Sequence, residues 1–165
     1  MHLHVQLELA ADVDTAGRMV ADREYAEEKG RAMGAVEQHV DVVGDPAGAF
    51  TVTARRGLPT DDIPAHVRPF VGQQLDVRQI EAWEAPSGGE RHGTVAVEIT
   101  GAPVRLTGTM VLAPAGDGAS TLTYDGELKA SIPLFGAAVE QAAGQAIEAG
   151  LVAEGRVAAD WIARH

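Results

Sequence analysis

One helical pattern runs from about Pro133 to His165, and it constrains the fold more than any other feature of the chain. A helix of roughly 30 residues is about 45 Å long, enough to cross a whole small domain. Pro133 suits the first helical position, where its missing N–H costs nothing, and Leu134 and Phe135 read as anchors for the helix start. With residues placed at about 100° steps, Phe135, Val139, Ala142, Ala143, Ala146, Ile147, Gly150, Val157 and Trp161 share one broad face. Gln141, Gln145, Glu148 and Arg156 fall away from it. The face is large at its ends and small at its centre. Gly150 alone costs about 1 kcal/mol relative to alanine in a helix interior, so a packing reason is expected. Two reasons fit the pattern. The small residues either roof a cavity or let the helix press closely onto whatever lies beneath it.

What lies beneath is legible from the rest of the chain. HLHVQLELA alternates, with Leu3, Val5, Leu7 and Leu9 on one side of a strand. Asp12 and Asp22 stand where helix caps belong, before two short helical stretches that end by Gly34. Hairpins then follow at even spacing, separated by GDPAG, PSGGE, TGAP and PAGDG. Val36, Val40 and Val42 share a face, as do Phe50, Val52 and Ala54. The same holds for Val95, Val97 and Ile99, for Leu106, Met110 and Leu112, and for Leu122, Tyr124 and Leu128. Between these apolar positions stand Thr, Arg, Asp and Glu, the alternation of an antiparallel sheet with one wet face. Pro59, Pro64 and Pro69 exclude a central strand between the second hairpin arm and Leu75. That segment reads as a connection with a helical turn near Pro64–Val71, its Leu58, Ile63, Val67 and Phe70 covering one edge or mouth of the sheet. No repeat or linker interrupts residues 1–165, so one domain is expected.

The order is strand, two short helices, about six further antiparallel strands and one long helix. A sheet with one apolar face needs a cover, and only the last helix is long enough. In this arrangement the chain resembles the START-like (SRPBCC, helix-grip) superfamily and, more locally, an uncharacterised bacterial family within it. The residues that carry the resemblance are Asp22-Arg23-Glu24-Tyr25, Glu81-Ala82-Trp83, Leu112-Ala113-Pro114-Ala115-Gly116, Ile132-Pro133-Leu134-Phe135-Gly136 and Asp160-Trp161-Ile162-Ala163. The resemblance implies an α+β helix-grip fold: a curved antiparallel sheet of six to seven strands around the C-terminal helix, with two short helices after the first strand. It also implies a cavity between sheet and helix for a lipid, polyketide or similar apolar small molecule. The cavity is expected to be lined by Trp83, Val97, Met110, Tyr124, Ala143, Ala146, Ile147, Gly150 and Glu154. None of the motifs is catalytic, so no catalytic residue follows from the resemblance. Cyclase or aromatase chemistry and a ligand-free interaction module stand as alternatives.

Composition narrows the partners. The net charge of −11 repels nucleic-acid backbones and anionic lipid. The chain has no cysteine, which removes disulfides, thiolate catalysis and thiolate metal sites. No apolar run is long enough to span a bilayer and no signal peptide is evident at the start, so a cytoplasmic protein without metal or cofactor is expected. His2 and His4 share a strand face and His39 reads as lying on a nearby strand, but no carboxylate spacing completes a metal site. His92, just after PSGGE, reads as a loop residue. Glu154 sits at the edge of the helix's apolar face. There it lines a cavity and orients a polar group or acts as a base, or it pairs with a strand arginine such as Arg78 or Arg105. The parity of Trp83 leaves its facing open, because Val77, Gln79 and Glu81 share it. Tyr124 shares parity with Leu122 and Leu128 and should point inward, where its hydroxyl needs a partner.

Overall fold

A computed structural model describes residues 1–61 and 63–165; Asp62, in the proline-rich connection, lies outside the described residues. Strand β1 (His2–Leu9) leads into helices α1 (Val13–Val20) and α2 (Arg23–Ala32). Six strands follow: β2 (Glu37–Gly44), β3 (Phe50–Pro59), β4 (Gln74–Trp83), β5 (Arg91–Ile99), β6 (Val104–Pro114) and β7 (Ser120–Ala130). Helix α3 (Gly136–Arg164) closes the chain. The strands form one antiparallel sheet in the order β1-β7-β6-β5-β4-β3-β2. This is the α+β helix-grip arrangement, with seven strands.

Local chemistry sets the element boundaries. The Asp12 carboxylate accepts from the Thr15 N–H at 2.8 Å and the Asp22 carboxylate from the Glu24 N–H at 2.9 Å, so both short helices begin on acidic caps. Asp22 also accepts from the Trp161 indole N–H at 2.9 Å, which ties the start of α2 to the end of α3. The proline-rich connection makes one turn of 3-10 helix at Arg68–Phe70, and Val67 is buried.

Four expectations need correction. The long helix starts at Gly136, because Leu134 adopts φ 67°, a left-handed conformation that cannot continue a right-handed helix back to Pro133. Leu134 is 99% exposed and anchors nothing, while the Phe135 ring packs on Phe70 with centroids 5.3 Å apart. Val36 precedes β2 and is exposed. His39 is far from His2 and His4, since β1 and β2 form opposite edges of the sheet.

The register gives the inner face of the sheet. One row crosses it as Leu3, Gly126, Gly108, Val95, Glu81, Val52 and Val42. The next crosses as Val5, Tyr124, Met110, Gly93, Trp83, Phe50 and Gly44. Trp83 therefore faces inward, with Gln79 and Glu81 beside it. The buried apolar side chains form two clusters. One lies under α1, α2 and the last turns of α3 and includes Met19, Tyr25, Trp83, Met110, Leu122, Ala158 and Trp161. The other lies at the opposite end, where Val67, Val104, Leu128 and Val139 meet, with Ile63, Phe70 and Ile147 packed against it.

Candidate functional site

The seam between the two clusters is polar. Glu154, on α3, is buried, and its Oε1 accepts from the Tyr25 hydroxyl at 3.0 Å, the Tyr124 hydroxyl at 2.9 Å and Lys29 Nζ at 3.3 Å. Lys29 also reaches Glu81 Oε1 at 3.4 Å. Glu81 accepts further from Gln79 Nε2 at 2.6 Å and from the Trp83 indole N–H at 3.4 Å. Arg56 extends the chain of contacts, donating to Gln79 Oε1 at 3.1 Å and to the Ala26 carbonyl at 3.0 Å. Two carboxylates and two cations thus sit together inside the domain, and Lys29 pairs with both carboxylates.

The elements deliver these groups by their own periods. Tyr25 and Lys29 are four residues apart on α2 and share its inner side. Gln79, Glu81 and Trp83 alternate along β4 and share its inner face. Glu154 lies one helical turn beyond Gly150 and Leu151. Gly30 lets α2 sit this close: a Cβ there would run into the Gln38 side-chain oxygen and lie 2.8 Å from Arg56 Nε.

Electrostatics fix the protonation of the donors. Burial pushes the Tyr25 hydroxyl well above its ordinary value, and the neighbouring Glu154 carboxylate adds to the shift. Tyr124 behaves the same way for the same reasons. Burial alone pulls Lys29 down, but Glu154 and Glu81 together outweigh it, and the ammonium is held above its ordinary value. Both phenols and the ammonium are therefore fixed donors around the carboxylates.

Of the residues expected at a cavity, Tyr124 and Glu154 meet directly. Trp83 is joined to them through Glu81 and Lys29. Val97 is half-buried on the inner face of β5 and Met110 is fully buried on β6. Ala143, Ile147 and Gly150 are half-buried on α3. Ala146 is exposed: the buried line of the helix runs through Val139, Gly144, Glu154, Ala158 and Trp161, rotated from the face drawn on the sequence. Glu154 pairs with a lysine of α2, whereas Arg78 and Arg105 are exposed, with Arg105 bound to Glu98 at 3.3 Å. His92 belongs to β5, exposed and bonded to Glu90 at 2.9 Å. His2 and His4 bond to Glu127 and Asp125 of β7. Among the described residues no group of three or more His, Asp or Glu could hold a metal.

Tyr25, Lys29, Glu81 and Arg56 were not foreseen as site residues. One signal for Glu81 was available: it shares parity with Trp83, which a core tryptophan would turn inward.

The inner face beside the seam is not fully covered. Val77, Gln79, Val97 and Leu106 all point inward, yet each is only half-buried, while Val95 and Met110 beside them are covered. Two open clefts share residues with this face, Arg56 and Val77 in the first and Trp83 and Met110 in the second. One of about 590 Å³ borders β2, β3 and β4 beside Glu37, His39, Arg55 and Arg78, and one of about 460 Å³ borders Trp83, Gly93, His92 and Met110.

Comparison with known proteins places the chain. Residues 4–162 match the family described as Protein of unknown function (DUF2505), and the chain belongs to that family. An uncharacterised protein of Mycobacterium tuberculosis is 28% identical over 128 residues, covering 76% of this chain and 74% of that protein. Among solved structures, a START superfamily protein from Mycobacterium smegmatis superposes with a TM-score of 0.55 at 18% identity, covering 94% of this chain and 96% of the other. The Zhui aromatase/cyclase from Streptomyces superposes at 0.58 and 15% identity, covering 96% and 90%. The fold is START-like.

Proposed function

We propose that this member of the DUF2505 family binds an apolar small molecule, a lipid, polyketide or similar, in the space between the inner face of the sheet and α3. One observation carries the reading. Val77, Gln79, Val97 and Leu106 point into the fold and are only half covered, at the seam between two well-packed clusters. A core at ordinary density would bury them. An apolar surround with a few convergent polar groups is the usual make-up of a small-molecule site. Tyr124, Glu154, Val97, Ile147 and Ala143 line it and Trp83 and Met110 back it, whereas exposed Ala146 and Gly150, which faces Met33 at the end of α2, are left out. The acidic surface argues against nucleic acid as a partner. Among the described residues no helix is long and apolar enough to cross a membrane, and the cytoplasm is the compartment proposed.

A polarity-sensitive dye and a panel of medium-chain amphiphiles test this. Binding should saturate and raise Tm with ligand concentration. If no probe binds and none moves Tm, the half-covered face is merely wet and the reading fails. The convergence of Glu154, Lys29, Tyr25 and Tyr124 favours a second reading, turnover of the bound molecule, since the aromatase/cyclase that shares the fold is an enzyme by name. Product formation that Glu154→Gln abolishes while binding persists would support it.

A further inference from the structure

Glu154 uses only one of its two oxygens. Oε1 takes three donors, from Tyr25, Tyr124 and Lys29. Oε2 receives no hydrogen bond from any described residue. It is also absent from the sealed polar atoms that lack a partner, which are Gln38 Oε1, Arg56 Nε, Arg91 Nε and Ser120 Oγ. Oε2 is therefore not sealed from solvent, although the side chain as a whole is only 7% accessible. A buried carboxylate oxygen needs a donor, and here the donor must come from outside the protein.

The charges around it say what kind of donor. Lys29 is committed to Glu154 and Glu81, and Arg56 to Gln79 and the Ala26 carbonyl. Two carboxylates and two cations already balance. An acid entering the site would meet Oε2 with no free cation to receive it. An ammonium would lose its hydration and leave an uncompensated positive charge. A neutral hydroxyl meets neither penalty. Resting on the binding reading above, we infer that the ligand is an apolar alcohol or phenol whose hydroxyl donates to Glu154 Oε2.

Three probes with one alkyl chain test the inference in the wild-type protein: 1-dodecanol, its methyl ether and dodecanoate, each competing with the bound dye at neutral pH. Dodecanol should bind roughly tenfold or more tightly than the other two, the scale of one hydrogen bond to a charged group. Ether or dodecanoate binding as well as dodecanol overturns the inference while leaving an apolar site standing. If none of the three displaces the dye or raises Tm, the binding reading falls and this inference falls with it. In Glu154→Gln, the amide oxygen keeps the three donors and the NH₂ takes the place of Oε2. The preference for dodecanol should then disappear, and its persistence would place the hydroxyl elsewhere. The wild-type comparison stands by itself if that variant does not fold.

Discussion

Lys29→Met is the sharpest perturbation of the buried cluster. The methionine keeps most of the stem's volume and removes the charge, so packing changes little. What it leaves behind is severe. Glu154 Oε1 and Glu81 Oε1 lie 3.3 and 3.4 Å from the same nitrogen, and both carboxylates are buried. Without the ammonium they face each other in low dielectric with only neutral donors and the more distant Arg56. Removing one partner of a buried pair typically costs about 3–5 kcal/mol, against a total stability of about 5–15 kcal/mol for a domain. Urea unfolding at pH 7 should show that loss as a lower midpoint with an unchanged slope. Lys29→Met combined with Glu154→Gln and Glu81→Gln should recover much of the loss at pH 7. A cost below about 1 kcal/mol in Lys29→Met would mean that the ammonium does not hold these carboxylates in place.

Alkaline conditions should destabilise the wild type in a definite window. Lys29, Tyr25 and Tyr124 all hold their protons above their ordinary values of 10.5, 10.0 and 10.0. The folded chain then keeps protons that the unfolded chain releases, so this stability is complete below about pH 10 and is lost above it, at about 1.4 kcal/mol per pH unit for each group. Urea melts at pH 9 and 11 measure it, and Tyr124→Phe should flatten the slope. Leu134→Gly should raise stability by about 0.5–1 kcal/mol, because glycine relieves a left-handed backbone and the lost side chain touches nothing. A lower Tm would show that this exposed leucine has a partner in the fold after all. Gly150→Ala should gain up to about 1 kcal/mol of helix propensity, since its Cβ meets only the flexible Met33 thioether, 3.2 Å away. Gly30→Ala should instead cost about 1–3 kcal/mol, because its Cβ runs into Gln38 and Arg56. Thermal melts of the pair distinguish the two environments, and equal effects would contradict both assignments.

The fold was legible because its signals are local and periodic. Alternation fixed the faces of most strands, and the acidic caps and the hairpin turns marked the boundaries. Those signals do not measure distance between elements. The hinge shows this at short range: Pro133 is compatible with a helix start, but the φ of Leu134 delays it to Gly136. The cluster shows it at long range. Glu154 stood out on the helix, and Tyr124 on its strand, but their partner Lys29 lies 125 residues from Glu154 along the chain. Nothing in a helical wheel for REYAEEKGRA distinguishes a buried lysine from a solvated one. The motifs that suggested the family did carry the information in another form. Tyr25, Glu81 and Trp161 come from three of them, and the structure brings two into the cluster and hydrogen-bonds the third to Asp22.

The small residues of α3 then acquire a different meaning. A Cβ on Gly144 would meet Met1 and Leu3, one on Gly155 would lie 3.8 Å from Leu7, and one on Gly150 would meet Met33. The first two contacts are on β1, about 16 Å apart along the helix, and the third is at the end of α2. These glycines do not roof the inner face. Gly144 lets α3 approach the edge-strand end of the sheet, where a Cβ would stand 2.8 Å from the Met1 sulfur, while at Gly150 and Gly155 a Cβ would meet a flexible thioether and an ordinary contact. A helix fixed in that way packs on β1, β7, α1 and α2. It does not press down on β4 and β5, whose inward Val77, Gln79 and Val97 stay half-covered. Close approach to the edge strand on one flank and a half-covered inner face on the other are thus one arrangement.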